Sequence, residues 1–495
     1  MLAQFAMNTR FRVGLGLFAV AATPRLLGAF FLPNTFGDAY VYIRDIGVLS
    51  TKIKAGTFAI TDLYGFWLPL YQFISGLINV FVGNGFYTGK IVAALFGVGV
   101  CLLVYAITLQ LVEHKTASLL AFLLLAFSPL HILTSTSALT DVPHAFFILA
   151  ALYFVLRRRW LVAAVFAAFA GFTRVESWML IALIPALQFW KERRVSVGPL
   201  LIMLLPPLFW FWVSWKAAGD WLATFKVRQQ YHDWLLQQNP ALQHFTFAGV
   251  VKDSAMFLSG ADVAVLIAAF VAGWLVLRKF TTKNTDDVTH QNVEPIIPPL
   301  VFFFPFFALL TIAYLTHQQP IIFPRYGLIL FSLGIPILAW TYFAIKKRRP
   351  DVSRRVLVTV VVLCLLNATA QLAGALGELN RYSAQRHVAD YLRTHFDERS
   401  KARIFCDEGT VRALSGISED RFLGSANAPR DPDAFVEYLH QNRVDYLVAI
   451  QNETSKPEQL FPNSEYGDPI ADYEFITEAH TEFLLTNIHV YRRRQ

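Results

Sequence analysis

The stretch GDAYVYIRDIGVLSTKIKAGTFAITDLYGFWLPLY, Gly37–Tyr71, governs the reading of everything around it. It follows an apolar segment from about Val13 to Leu32 and carries three aspartates, Asp38, Asp45 and Asp62, in a chain that is otherwise mostly hydrocarbon. Asp38 and Asp45 are seven positions apart, close to two helical turns, so a helix puts them on one face. That face has two readings. It is a solvated helix beside a membrane, or it holds carboxylates over a lipid-borne substrate.

The composition supplies the membrane. Of 495 residues, 55% are hydrophobic and 16% charged, and the mean hydropathy is +0.45. Soluble domains carry about 25% charge. Many apolar runs reach the length a spanning helix needs, and 44 Phe, 11 Trp and 18 Tyr supply interfacial anchors. The formal charge of +8 reads as cytoplasmic anchoring rather than nucleic-acid binding. Cys101 and Cys364 lie in apolar runs and Cys406 in a polar tail, which gives neither a disulfide framework nor a zinc site. The first apolar segment has no convincing cleavage site and reads as a retained helix.

Basic clusters at Arg10/Arg12, Lys115, Arg157–Arg159, Lys191–Arg194, Arg278–Lys283 and Lys346–Arg355 all fall inside if the chain crosses about eleven times. The spans are then 13–32, 89–112, 117–134, 142–156, 160–173, 177–190, 197–216, 260–278, 296–316, 326–345 and 356–376, all helical because lipid offers the backbone no partners. Gly65–Val82 is apolar enough to span, but a crossing there would invert every later loop. It is therefore expected as an interfacial or re-entrant helix within an outer loop at 33–88. The turn Thr173–Ser177 either lies at the surface between two short helices or interrupts a buried hairpin. Both place Arg174 and Glu176 in a protein-lined cavity.

The fold class expected is therefore a polytopic α-helical membrane protein, 1–376, followed by a small extracytoplasmic α/β domain, 377–495. In that domain Ala402–Cys406, Asp445–Ile450 and Glu482–Arg492 read as strands, and Gln385–His395 and Asp433–Gln441 as helices.

This topology collects Asp38, Asp45, Asp62, Asp141, His144, Arg174, Glu176, His317, Arg325 and Tyr326 on one face, from four separate parts of the chain. Each has a plainer reading. Asp141, two residues before Pro143, caps a helix; Arg174 pairs with Glu176; Arg325 snorkels. Ala217–Lys252, with Trp221, Trp234, Lys226 and Arg228, reads as an amphipathic loop on the bilayer surface. Together such groups suit sugar transfer from a lipid phosphate. A carboxylate takes the proton of an acceptor hydroxyl or holds a divalent metal, and arginines clamp phosphate.

The chain resembles the GT-C superfamily of polytopic glycosyltransferases, which includes protein O-mannosyltransferases, the lipid A aminoarabinose transferase and enzymes of the dolichyl-phosphate-mannose type. The resemblance rests on the order of Gly37-Asp38-Ala39-Tyr40, Thr61-Asp62, Leu68-Pro69-Leu70-Tyr71, Ser128-Pro129, Asp141-Val142-Pro143, Thr173-Arg174-Val175-Glu176 and Arg325-Tyr326, over roughly residues 10–345. It implies that Asp38 is the base and that Asp141 orients the acceptor or a metal. It implies that Arg174 and Arg325 contact the donor phosphate, with Asp45, Asp62, Tyr71, Glu176 and Tyr326 in support. Ala39 stands where many relatives have a second acid, which counts against a paired-acid metal site. The resemblance further implies an inverting transfer of a hexosyl or related sugar from a polyprenyl-phosphate donor to a hydroxyl of a lipid, glycan or protein. The expected setting is the outer face of a bacterial plasma membrane, with the equivalent lumenal face of the endoplasmic reticulum as the alternative. A transporter or flippase of a lipid-linked saccharide is the alternative, and a membrane scaffold a third reading. The transporter predicts charges through the bilayer depth and on both sides of a central site, whereas this chain concentrates them at the outer face.

Overall fold

The computed structural model describes residues 2–238, 244–281, 293–319, 322–397, 399–425, 428–450, 456–461, 468–481 and 486–494. α1 (Leu2–Phe31) leads into α2 (Gly37–Lys54), a 3-10 turn at Ile60–Leu63 and α3 (Leu70–Val82). Then come α4 (Gly85–Val112), α5 (Lys115–Ala126), α6 (Pro129–Ser135), α7 (Asp141–Leu156), α8 (Trp160–Thr173), α9 (Leu180–Glu192) and α10 (Val197–Ala218). α11 (Ala223–Gln238) and α12 (Phe247–Ala261) precede α13 (Val263–Thr281), α14 (Ile297–Leu315), α15 (Leu328–Arg348) and α16 (Pro350–Glu378).

Each of the eleven segments expected to span falls on helix: α1, α4, α5 with α6, α7 to α10, and α13 to α16. Among the described residues, seven helices are long and apolar enough to cross a membrane, or eight with the bent α5–α6 pair as one. The expected count of eleven is thus not reached by length and composition alone, because α7, α8 and α9 have only 16, 14 and 13 residues. α3 is a 13-residue helix beginning at Leu70, inside the stretch expected to lie at the interface.

The bundle has two unlike ends. One gathers the connections α7–α8 and α9–α10 with the start of α14. There Lys191 pairs with Glu294, Arg158 lies 3.9 Å from the same carboxylate, and the Trp160 indole N–H donates to Glu192. The other end gathers the starts of α2, α7 and α15 and the end of α8, and it carries the acids and arginines described below.

α5 and α6 meet at 61°. Pro129 opens α6, and the Ser128 hydroxyl caps it by accepting from the His131 N–H. The break strands the last carbonyls of α5 in a buried place, where lipid would leave them unsatisfied. Arg25, fully buried on α1, donates to the carbonyls of Leu125 and Ala126 and also bonds His131 Nδ1 at 2.6 Å. α15 runs through the core, whereas α16 is exposed along most of its length, as a lipid-facing helix should be.

The polar tail forms α17 (Ser383–His395), β1 (Arg403–Cys406), α18 (Gly409–Ser415), β2 (Phe422–Leu423), α19 (Pro432–Gln441), β3 (Val444–Ile450), α20 (Lys456–Leu460), β4 (Tyr473–Thr481) and β5 (Thr486–Arg493). The sheet order is β2-β1-β3-β5-β4. β2, β1 and β3 are parallel, and α18 and α19 cover the crossovers on its two faces. β5 is antiparallel to β3 and β4. The expected strands at 402–406 and 445–450 are β1 and β3, within a residue. The first four positions of the one expected at 482–492 lie outside the described residues, and the rest is β5. The edge strand β4 lies outside the expected strands, and a bulge between Phe475 and Thr477 shifts its register against β5. This unit leans on α2: α18 packs against it, and Tyr382 meets Tyr40 edge-on at 5.4 Å.

Candidate active site

Asp38 lies in the first turn of α2, where the helix dipole favours a carboxylate. Its Oδ2 accepts from Arg325 Nη2 at 2.5 Å. Arg325 belongs to the 3-10 turn Pro324–Gly327, which enters α15, so its guanidinium is fixed by backbone rather than by a long flexible loop. Arg325 is buried, and its guanidinium stands over the rings of Phe36, Phe323 and Tyr326 at 5.1–5.5 Å. Its Nε is buried without a partner among the described residues. An orphaned buried donor costs about 1–3 kcal/mol until something accepts from it.

Asp141 opens α7, and Arg174 ends α8 with an extended backbone that turns its side chain inward. Arg174 Nη1 donates to Asp141 Oδ1 at 3.1 Å and Nη2 to Glu176 Oε1 at 2.8 Å. Burial pushes the Glu176 carboxyl up, but the charge and hydrogen bonds of Arg174 override it and hold the group at about 2. Burial likewise works against the Arg174 cation, and Glu176 and Asp141 more than offset it.

Asp141, Arg174, Glu176, Arg325 and Tyr326 line one narrow cavity of about 30 Å³, room for little more than water. His144 faces it and hydrogen-bonds Ser177 Oγ at 2.7 Å. The remaining wall is apolar: Phe306, Leu309 and Leu310 of α14, and Leu328 and Ile329 of α15. The two arginines and three acids thus meet at one end of the bundle, through Arg325, which lines the cavity and also holds Asp38.

Three expected members stand apart. Asp45 pairs with its neighbour Arg44 at 2.9 Å, about 10 Å further along α2 than Asp38. Asp62 caps the turn Ile60–Leu63 through the Ala59 N–H and pairs with Lys52 at 2.6 Å. Tyr71 is buried one layer behind, donating to the Gly89 carbonyl and meeting Tyr42 edge-on. Among the described residues no group of three His, Cys, Asp or Glu side chains converges as a metal site would require.

Two residues join the cluster unforeseen. Tyr42, one turn after Asp38 on the same face, is buried, hydrogen-bonds Thr140 Oγ1 and lies within the fields of Arg174, Asp38 and Asp141. Arg228 of α11 donates twice to the Phe66 carbonyl, at 2.9 and 2.7 Å, within the fields of Glu176 and Arg174. Among the described residues it pairs with no carboxylate.

Residues 68–189 match the family model described as dolichyl-phosphate-mannose-protein mannosyltransferase. That segment holds Asp141, Arg174 and Glu176, but neither Asp38 nor Arg325. The whole chain superposes on ArnT from Cupriavidus metallidurans bound to undecaprenyl phosphate, with a TM-score of 0.55 and 11% identity, over 99% of this chain and 98% of that one. The apo state of the same protein gives 0.52, again at 11% identity and over 99% and 98%. The archaeal oligosaccharyltransferase AglB from Archaeoglobus fulgidus, in complex with an inhibitory peptide and a dolichol-phosphate, gives 0.54 at 11% identity, over 96% of this chain and 80% of that one. The chain shares the fold of ArnT and AglB. No curated protein sequence matches the chain.

Proposed function

We propose that this chain is an inverting glycosyltransferase that moves a sugar from a polyprenyl-phosphate donor to an acceptor hydroxyl at the extracytoplasmic membrane face. The observation that carries the reading is the meeting of Asp38–Arg325 and Asp141–Arg174–Glu176 around one cavity, at the end of the bundle away from the Arg157–Arg159 and Lys191–Arg194 clusters. Short basic loops tend to remain on the cytoplasmic side, which supports an outward-facing site; a bacterial plasma membrane is the proposed setting. Two of the similar structures hold polyprenyl phosphates, and the family matched over 68–189 is a mannosyltransferase family.

In this reading Asp38 takes the acceptor hydroxyl proton as the oxygen attacks the anomeric carbon. The bond from that carbon to the phosphate oxygen breaks on the opposite side, and its electron pair leaves with the phosphate. Arg325 offers an Nε that has no partner among the described residues, and Arg228, which pairs with no carboxylate among them, adds a cation; both suit the charge growing on the leaving phosphate. Asp141 and Glu176 hold Arg174 in place. The apolar wall from Phe306 to Ile329 suits the first isoprene units, and the cavity has to widen to admit them.

The test is Asp38→Asn in purified protein, assayed with polyprenyl-phosphate sugars. Asn still accepts from Arg325 but cannot take a proton. Transfer should fall about 10²- to 10⁴-fold, with insertion and melting temperature intact. Normal turnover would remove the assigned base.

A further inference from the structure

Beyond its charged first turns, α16 turns mostly apolar surface outward, yet Cys364, Asn367 and Gln371 lie along one inward face at helical spacing. Gln371 is buried, and both ends of its amide are engaged. Nε2 donates to the Ser259 carbonyl at 2.7 Å. Oε1 accepts from the Ser128 hydroxyl at 3.0 Å and the Leu130 N–H at 3.3 Å. A carbonyl can only accept and a backbone N–H can only donate, so a single orientation of the amide satisfies all three. Leu130 is in the first turn of α6, where its N–H has no partner within the helix.

The two groups that Gln371 joins lead to different halves of the site. Ser259 precedes Gly260 and Ala261, which press on the turn carrying Arg325. A Cβ on Gly260 would stand 1.8 Å from the Pro324 carbonyl oxygen, and one on Gly327 2.4 Å from the Ala261 nitrogen. The two backbones touch, so a shift of Ser259 moves Arg325. Asn367 steadies the same corner by donating to Asp262, which caps α13 through the Ala264 N–H. On the other side, Ser128 and Leu130 begin the seven-residue α6. Its far end leads through Thr140, hydrogen-bonded to Tyr42, into Asp141.

We propose that Gln371 is a positioning residue: one amide ties the segment bearing Arg325 to the segment bearing Asp141, and so sets the separation of the two guanidinium–carboxylate groups. Its activity readouts rest on the transfer reading above, and its geometric readout does not.

The test uses the full-length protein with Gln371→Met and Gln371→Glu. Met matches the volume but loses all three hydrogen bonds. Misplacing groups that act only in the transition state lowers kcat more than KM, and an error near 1 Å costs about 10²-fold. Q371M should therefore lose about 10- to 100-fold in kcat, with donor KM little changed. In Q371E the protonated carboxyl still donates to Ser259 and accepts from Leu130. Its kcat should approach wild type at low pH and fall as pH rises through the pKa of the introduced group, an alkaline limb that wild type lacks. Helix glue alone would lower the melting temperature and leave kcat and its pH profile unchanged, which would overturn the proposal. If Q371M does not fold, the Q371E profile decides. If wild-type protein transfers no sugar, the reading above fails and an experimental structure of Q371E at high pH judges the clamp. An Asp141–Arg325 separation wider by about 1 Å supports it, and an unchanged one overturns it.

Discussion

Asp38 and Asp141 each answer to a guanidinium, in unlike surroundings. The Asp38 side chain is 41% exposed and pairs with Arg325; the Asp141 side chain is 8% exposed, and its partner Arg174 is shared with Glu176. A base must reach an incoming hydroxyl and then hold its proton, which suits the open half. A carboxylate enclosed beside a shared arginine suits orientation. In the proposed reading, then, the half made by α2 and the Pro324 turn is the reactive one, and the half made by α7 and α8 is its frame.

The sharpest way to break this division is to compare Asp38→Asn with Asp141→Asn. The first should cost about 10²- to 10⁴-fold in transfer. The second should cost less, about 10- to 100-fold, because Glu176 still holds Arg174. Equal losses in kcat, measured with saturating donor, would erase the distinction; a reversed order would move the base to Asp141.

The division was only partly legible in the sequence. Long apolar runs and basic inner loops announce the helices, because hydrocarbon imposes both on any spanning chain. Arg174 and Glu176 stood out because charges between two apolar runs have no place in lipid. Asp45 and Asp62 drew the same attention for the same reason, yet each has a local basic partner, Arg44 and Lys52, that a pairing argument could have supplied. Tyr42 was hidden because an aromatic at helical spacing reads as core, although its spacing of four from Asp38 was available. Arg228 read as a surface cation, and a lone Gln371 in an apolar run carries no signal until the fold brings Ser259 and Leu130 to it.

A smaller effect tests the frame itself. Glu176 is held at about 2 in the folded protein, against an ordinary value of 4.5. A depressed carboxyl stabilises the fold fully above the ordinary value and loses that contribution as pH falls toward the folded one. Melting temperature in detergent should therefore decline between about pH 4.5 and pH 2, and Glu176→Gln should flatten the decline there. An unchanged slope would mean that Arg174 is held by Asp141 alone.

The smallest effect is expected at Asp62, and it sharpens the comparison by bounding the reactive half. Asp62 lies in the same segment between α1 and α4 as Asp38, but its oxygens are spent on the Ala59 N–H and Lys52. Burial raises its carboxyl, and those two partners outweigh burial and lower it. Replacing it by Asn keeps the cap and loses the ion pair, which is worth about 1 kcal/mol or less for a partly exposed lysine. Asp62→Asn should thus leave kcat within about twofold, since no interaction with the cavity is removed. A larger kinetic loss would mean that the Ile60–Leu63 turn reaches the acceptor, and the reactive half would then extend beyond the first turn of α2.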